Sequence, residues 1–258
     1  MLQPFKTLAR DHPVVRALLL RALARMRRLA HAPPGLYTLC YHRVPERHRA
    51  GFAAQIALLQ RHGRFVSADE AAALLARGEA GRERHFLVTF DDGYADTVEV
   101  ALPVLREAGV PAILFLVGAW LDAPPADPPG PYADRGLVAA WLAAGMEVGS
   151  HSLSHARIAT LGDAEAEREI GASRTLLEAE FGRPVRHFAC PWGVAGRDYR
   201  PGRDPGLALA HGYTTFFTTR RGAAASVEDL AAMPRHVLEP EWPLHELDAL
   251  MGARVARR

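Results

Sequence analysis

The sequence predicts an α/β fold built on a parallel sheet, open or closed. Short apolar runs recur along the chain, and the longer stretches between them carry apolar residues at helical spacing. The polar clusters add a third observation. Asp91–Asp92, His151–His155 and Cys190–Gly193 each follow an apolar run, and in parallel sheets the functional side chains gather at the carboxyl ends of strands. A length of 258 residues suits one α/β barrel.

The first thirty residues stand apart. Lys6, Arg10, Arg16, Arg21, Arg25, Arg27 and Arg28 meet only Asp11, while Val15, Leu18, Leu19, Ala22, Met26 and Leu29 recur at helical spacing. This predicts a basic amphipathic helix, either packed on the domain or lying on an anionic membrane surface through residues 1–30. "HAPPG" then reads as a linker, which divides the chain into an N-terminal helix and linker (1–34) and a main domain (35–258).

In the main domain "LYTLCYH" is the first strand. Phe52, Ile56 and Leu59 share one face of a helix expected to stop on a C-terminal glycine, Gly63. "SADE" from Ser67 is a capping box opening a helix that ends at Gly78. "FLVTF", a helix to Gly109 and "AILFLV" follow, then a Pro-rich loop over 122–131. A helix over 135–144, the strand "MEVGS" and a charged helix over 163–181 come next. "RHFAC", "YTTFFTT" and "PRHVLE" read as the last extended segments.

Composition narrows the function. A net charge of +2 leaves no footprint for nucleic acid. Cys40 and Cys190 are too few for a disulfide framework and read as reduced thiols. Nothing approaches a membrane-spanning run, and "ALLL" at 17–20 is bracketed by arginines, unlike a signal peptide. The expected location is therefore the cytoplasm, with peripheral contact at the inner membrane face through the basic helix.

The strand-end clusters carry the chemistry. His151 and His155 are four residues apart, so both imidazoles can face one point. Two imidazoles and one carboxylate form a zinc set with an open position for water, whose pKa the cation lowers to about 7. Adjacent acids at Asp91 and Asp92 then divide into one ligand and one base. A glycosidase needs its carboxyls about 5 to 9.5 Å apart across a sugar ring, usually from different strands, so neighbouring acids beside a histidine pair fit metal-assisted hydrolysis better.

"TFDDGYAD", "GSHSLSH" and "FACPWG" resemble the first three motifs of the polysaccharide deacetylase family, which includes chitooligosaccharide deacetylases and the family 4 carbohydrate esterases. "YHRV" at 41–44, "REAGVPAILFLVG" at 106–118 and "MPRHVL" at 233–238 extend the likeness over most of the chain. The resemblance implies a distorted (β/α) barrel of about seven parallel strands with one divalent metal, usually Zn2+, at its mouth. Asp91 would then be the general base, and Asp92, His151 and His155 the metal ligands. The Trp192 backbone N–H would help hold the oxyanion, with its ring and Pro191 flanking the acetyl pocket. Tyr94 could line the substrate site or simply pack, and Asp96 could line it or cap a helix. The implied reaction is N-deacetylation of an amino sugar in a polysaccharide or a lipid-linked glycan.

The likeness has gaps. Many members carry an arginine two residues before the proline of the third motif, where Ala189 stands here, and the family's later Asp-Trp and L-x-H motifs are not recognisable. The first candidate for the missing general acid is His42, at the end of a β run; the second is His236, with a place beside the substrate. Arg235 is the candidate buttress for Asp91. Cys190 reads as a small buried filler, and Trp120, Trp141 and Trp242 as core or groove residues. Deformylation or cleavage of another small amide, and an inactive carbohydrate-binding relative, are the alternative functions.

Overall fold

The structure, a computed structural model, describes residues 32–126 and 131–251; the basic helix expected within the first thirty residues lies outside them. The strands are β1 (Gly35–Tyr41), β2 (Arg64–Phe65), β3 (Arg84–Phe90), β4 (Ala112–Leu116), β5 (Glu147–Ser150), β6 (His187–Ala189), β7 (Thr215–Phe217) and β8 (His236–Val237). The helices are α1 (Arg49–Gln60), α2 (Ala68–Ala76), α3 (Leu102–Ala108), α4 (Arg135–Ala143), α5 (Asp163–Phe181), α6 (Asp204–Ala210) and α7 (Leu244–Met251). A π-helical turn, Thr97–Ala101, leads into α3.

Seven parallel strands run in the order β7-β6-β5-β4-β3-β1-β8, with the two-residue β2 added to the start of β3. The sheet curls into a distorted half-barrel wrapped by helices. Its two edges approach each other through the segment before β8: Thr218 N–H donates to Met233 O at 2.9 Å and Arg235 N–H to Arg220 O at 2.8 Å.

Strand periodicity sorts the side chains into two cores. Tyr37, Leu39 and Tyr41 of β1 and Phe86, Val88 and Phe90 of β3 face the helices, packing with Phe52, Ile56 and Trp141. Leu36, Leu87, Ile113, Phe115, Ala189, Phe217 and Met233 fill the inside of the curl. Polar residues continue the inner rows toward the mouth: Thr38 and Cys40 on β1, Thr89 and then Asp91 after β3. The strand period thus delivers Asp91 to the inside.

Helix α2 opens at Ser67, whose Oγ accepts from Glu70 N–H at 3.2 Å, but the expected box is half made: the Glu70 carboxylate accepts from Arg64 Nη1 at 2.7 Å. Helix α1 departs from expectation: it ends at Gln60, with Arg61 right-handed at the cap. Gly63 is needed for close packing instead, because a Cβ there would lie 2.4 Å from Arg84 O and 2.9 Å from the Phe86 ring. No helix among the described residues is long and apolar enough to cross a membrane.

Candidate active site

At the carboxyl end of the sheet a cleft of about 280 Å³ is lined by His42, Asp91, Asp92, His151, His155, Trp192, Arg197, Thr219 and Val237. The segments after β1, β3, β5, β6 and β7, with the end of β8, build it. Asp91 N–H still donates to Tyr41 O, extending the β1–β3 ladder by one residue. The chain then turns sharply, with Asp92 at φ 70° and Gly93 at φ 77°. A Cβ on Gly93 would lie 2.7 Å from the Leu116 side chain, so glycine meets both the backbone and the packing demand. This turn separates the two acids: Asp91 stays on the inner row, and Asp92 swings out to the mouth.

Asp92 Oδ1 lies 3.4 Å from His151 Nε2 and 3.3 Å from His155 Nε2. It is buried and has no hydrogen-bond partner. One ligand atom from each of the three residues lies within 4.8 Å of the others. His151 is 2% exposed, and its Nδ1 sits 2.8 Å from Ala189 O, the arrangement that leaves the Nε2 lone pair facing Asp92. Burial pushes the His151 imidazole down to about 4 against the pull of Asp91 and Asp92, which keeps it neutral and able to coordinate. An orphaned carboxylate oxygen facing two imidazole nitrogens suits a divalent cation.

His155 is held differently. Its ring lies between Trp192, at 4.5 Å between centroids, and Trp120, at 5.1 Å. Its loop is strained: Ser152 and His155 have φ 68° and 63°, and Trp192 in the facing turn has 55°. Left-handed conformations at non-glycine residues persist only where the surroundings fix them. Here Ser152 Oγ accepts from His155 N–H at 2.9 Å. Glu169, from α5, accepts from the Leu153 and Ser154 amides at 3.1 and 2.9 Å and from Ser154 Oγ at 2.7 Å. The sequence reading missed Glu169. Its signal was an acid on the face of α5 that carries the buried Ala166, Ile170, Ser173 and Leu177.

Asp91 is 3% exposed. Its Oδ1 accepts from Arg235 Nη1 at 2.7 Å, and its Oδ2 from the Cys40 thiol at 3.5 Å. Burial alone would raise this carboxyl; the Arg235 guanidinium overcomes it and holds the group well below the usual carboxylate range. Arg235 also donates from Nε to Thr218 O at 2.9 Å. It reaches Asp91 from the segment before β8. His42 lines the cleft beside this pair, with a ring nitrogen within 4.8 Å of an Asp91 oxygen and of the Cys40 sulfur.

Other expected positions fall elsewhere. His236 is not in the cleft: β8 pairs Leu39 with His236 and Cys40 with Val237. Val237 therefore faces in, while His236 faces the helices and stacks on Tyr37 at 6.1 Å. Tyr94 packs, stacked on Tyr132 at 4.9 Å beneath the Arg43 guanidinium, and does not line the cleft. Pro191 is buried in the turn behind Trp192, its carbonyl accepting from Gly193 N–H at 2.6 Å. Asp96 makes no cap; it accepts from Arg43 Nε at 2.8 Å and Val44 N–H at 3.2 Å. Cys40 and Cys190 are both free and buried. Trp141 is core and Trp242 partly buried against it, whereas Trp120 belongs to the site.

Comparison with known proteins gives this geometry a family. The polysaccharide deacetylase profile matches residues 78–204, close to half of the chain and containing Asp91, Asp92, both histidines and Trp192. A putative polysaccharide deacetylase of Bacillus subtilis, YxkH, is 25% identical over 81% of this chain and 73% of its own. A chitooligosaccharide deacetylase of Sinorhizobium fredii is 33% identical over 48% of this chain, a match spanning only 54% of that relative's length. Among solved structures, IcaB from Ammonifex degensii superposes with a TM-score of 0.72 at 24% identity, over 86% of this chain and 99% of that one, and shares the curled barrel. With the motif residues gathered at one strand-end cleft, the family that this chain resembles over residues 78–204 is that of the polysaccharide deacetylases, whose members are hydrolases acting on amide bonds.

Proposed function

We propose that this chain is a metal-dependent N-deacetylase acting on an N-acetylated amino sugar in a polysaccharide or a lipid-linked glycan, with 35–258 as the catalytic domain. The observation that carries the reading is the convergence of Asp92 Oδ1, His151 Nε2 and His155 Nε2 within one cleft, beside a second carboxylate held by an arginine.

Asp92, His151 and His155 would hold the ion, for which zinc suits the nitrogen and oxygen donors. When bound, a divalent cation polarises the amide carbonyl and makes water acidic enough to lose a proton near neutral pH. The chain's own residues do the rest. Asp91, kept ionised by Arg235, accepts the proton of the attacking water on its carboxylate. The Trp192 backbone N–H faces the oxygen that gains charge as the carbonyl carbon becomes tetrahedral. His42, on the Asp91 side of the cleft, gives a proton to the departing sugar nitrogen, so that the C–N bond breaks to acetate and a neutral amine.

Acetate release from N-acetylglucosamine oligomers is the test. Release should stop with a chelator and return with zinc, and His42→Ala should cut turnover about 100-fold or more while metal content stays that of the parent. No acetate from any acetylated glycan by the metal-loaded protein would end the reading, and normal turnover in His42→Ala would remove His42 from it.

A further inference from the structure

Two guanidinium groups converge on a single buried carboxylate at the mouth of the cleft. Asp198 is fully buried. Its Oδ1 accepts from Arg157 Nη1 and from Arg197 Nε, the latter at 3.1 Å; its Oδ2 accepts from Arg197 Nη2 at 3.1 Å and from Val194 N–H at 3.0 Å. Its backbone carbonyl accepts from Ala159 N–H at 3.0 Å, which ties the loop after His155 to the loop after Trp192. Asp198 is thus a fixed post from which both arginines project toward solvent, with side chains 42% and 61% exposed.

The charges do not balance. Arginine stays protonated at any working pH, so two cations share one anion and a formal positive charge is left over. Glu169, the buried carboxylate that α5 brings to the His151–His155 loop, is spent on the Leu153 and Ser154 amides. The surplus sits beside the reactive centre: the Arg157 guanidinium lies 4.4 Å over the Trp192 ring, and that ring is 4.5 Å from His155. Arg197 lines the cleft itself. Both contacts meet on the Trp192 side chain, which is 40% exposed.

We propose that Arg157 and Arg197 form an anion subsite, and that the substrate carries a carboxylate or phosphate on, or next to, the sugar that loses its acetyl group. Guanidinium presents a planar fork matched to both anions. The cation–π contact with Trp192 and the ion pairs with Asp198 fix the two forks before any ligand arrives. This specificity rests on the deacetylase reading, but its test does not use hydrolysis.

The test is calorimetric titration of the full-length, zinc-loaded protein with glucuronic acid, glucose 6-phosphate and glucose. At least one of the two anionic sugars should bind about tenfold or more tighter than glucose. That advantage should shrink with added salt and disappear in Arg197→Gln. Arg157 still neutralises Asp198 in this variant, and a circular dichroism spectrum matching the parent's confirms its fold; Arg157→Gln is the second variant and should lose the advantage likewise. The two anions tell a carboxylate-bearing from a phosphate-bearing glycan. Equal affinity for all three sugars, or an anionic advantage that survives in both variants, overturns the proposal. Anion binding that depends on these arginines, with no acetate release from any glycan, would uphold the subsite and sink the deacetylase reading instead.

Discussion

Arg235 and Asp91 form an ion pair closed off from water, with side chains 1% and 4% exposed. Desolvating two charges costs several kcal/mol each, and their attraction offsets this only when the remaining hydrogen bonds are also made. Here they are made: Thr218 O takes the Arg235 Nε proton, and Cys40 supports the free carboxylate oxygen. Removing one partner leaves the other charge buried and alone. Arg235→Leu should therefore destabilise the fold by about 3–5 kcal/mol, read from the urea midpoint, and should cost the active form most of its turnover. Arg235→Lys keeps the charge but cannot reach Asp91 and Thr218 with one rigid fork, so it should retain more stability than Arg235→Leu while still losing turnover. Unchanged stability in Arg235→Leu would mean that Asp91 is not held by this pair. The pair also explains Ala189: with the guanidinium arriving from the β8 side, a second arginine at that position has no carboxylate to serve.

At the scale of the element, the loop from His151 to His155 shows what the sequence could and could not reveal. Spacing alone allowed the two imidazoles to face one point, and strand periodicity allowed Asp91 to face inward. Both are local properties of one segment. The parts that hold the loop are not local: Glu169 arrives from α5 and Trp120 from the turn after β4. Residues such as Trp120 have no pattern that separates groove from core until the fold is seen. The same limit displaced His236, because the inward or outward phase of a two-residue strand is set by its pairing with β1. Strand β2 and helix α6 went unread for a related reason: each is too short to show a period, and α6 opens on Asp204-Pro205-Gly206.

His155 lacks the ring-nitrogen hydrogen bond that His151 makes to Ala189 O, and aromatic packing by Trp120 and Trp192 takes its place. Trp120→Ala should therefore weaken zinc binding about 10- to 100-fold in competition with a chromogenic chelator, while Trp120→Phe keeps most of the affinity. Parental zinc affinity in Trp120→Ala would show that the strained loop backbone alone orients the ligand.

For the molecule as a whole, folding leaves titratable groups buried away from the cleft. His236 is the clearest case. It is 2% exposed, and burial, with Arg221 adding to it and the Gly222 backbone opposing it weakly, pushes the imidazole down to about 4. In the unfolded chain the same group titrates near 6.5. Between those values the unfolded state binds the extra proton, so stability rises with pH; the full contribution is present above about 6.5 and is lost as pH falls toward 4. A depression of this size corresponds to about 3 kcal/mol in all, of which roughly 2 kcal/mol is already lost at pH 5. His236→Phe keeps the stack on Tyr37 and removes the proton. Relative to the parent, its melting temperature should be higher by roughly 4–8 °C at pH 5 than the difference measured at pH 7.5. Comparison of the two proteins at the two pH values, by differential scanning calorimetry with zinc held constant, reads this directly. If the variant and the parent lose the same number of degrees between pH 7.5 and pH 5, His236 takes up no proton on unfolding, and the acid sensitivity belongs to the cleft histidines instead.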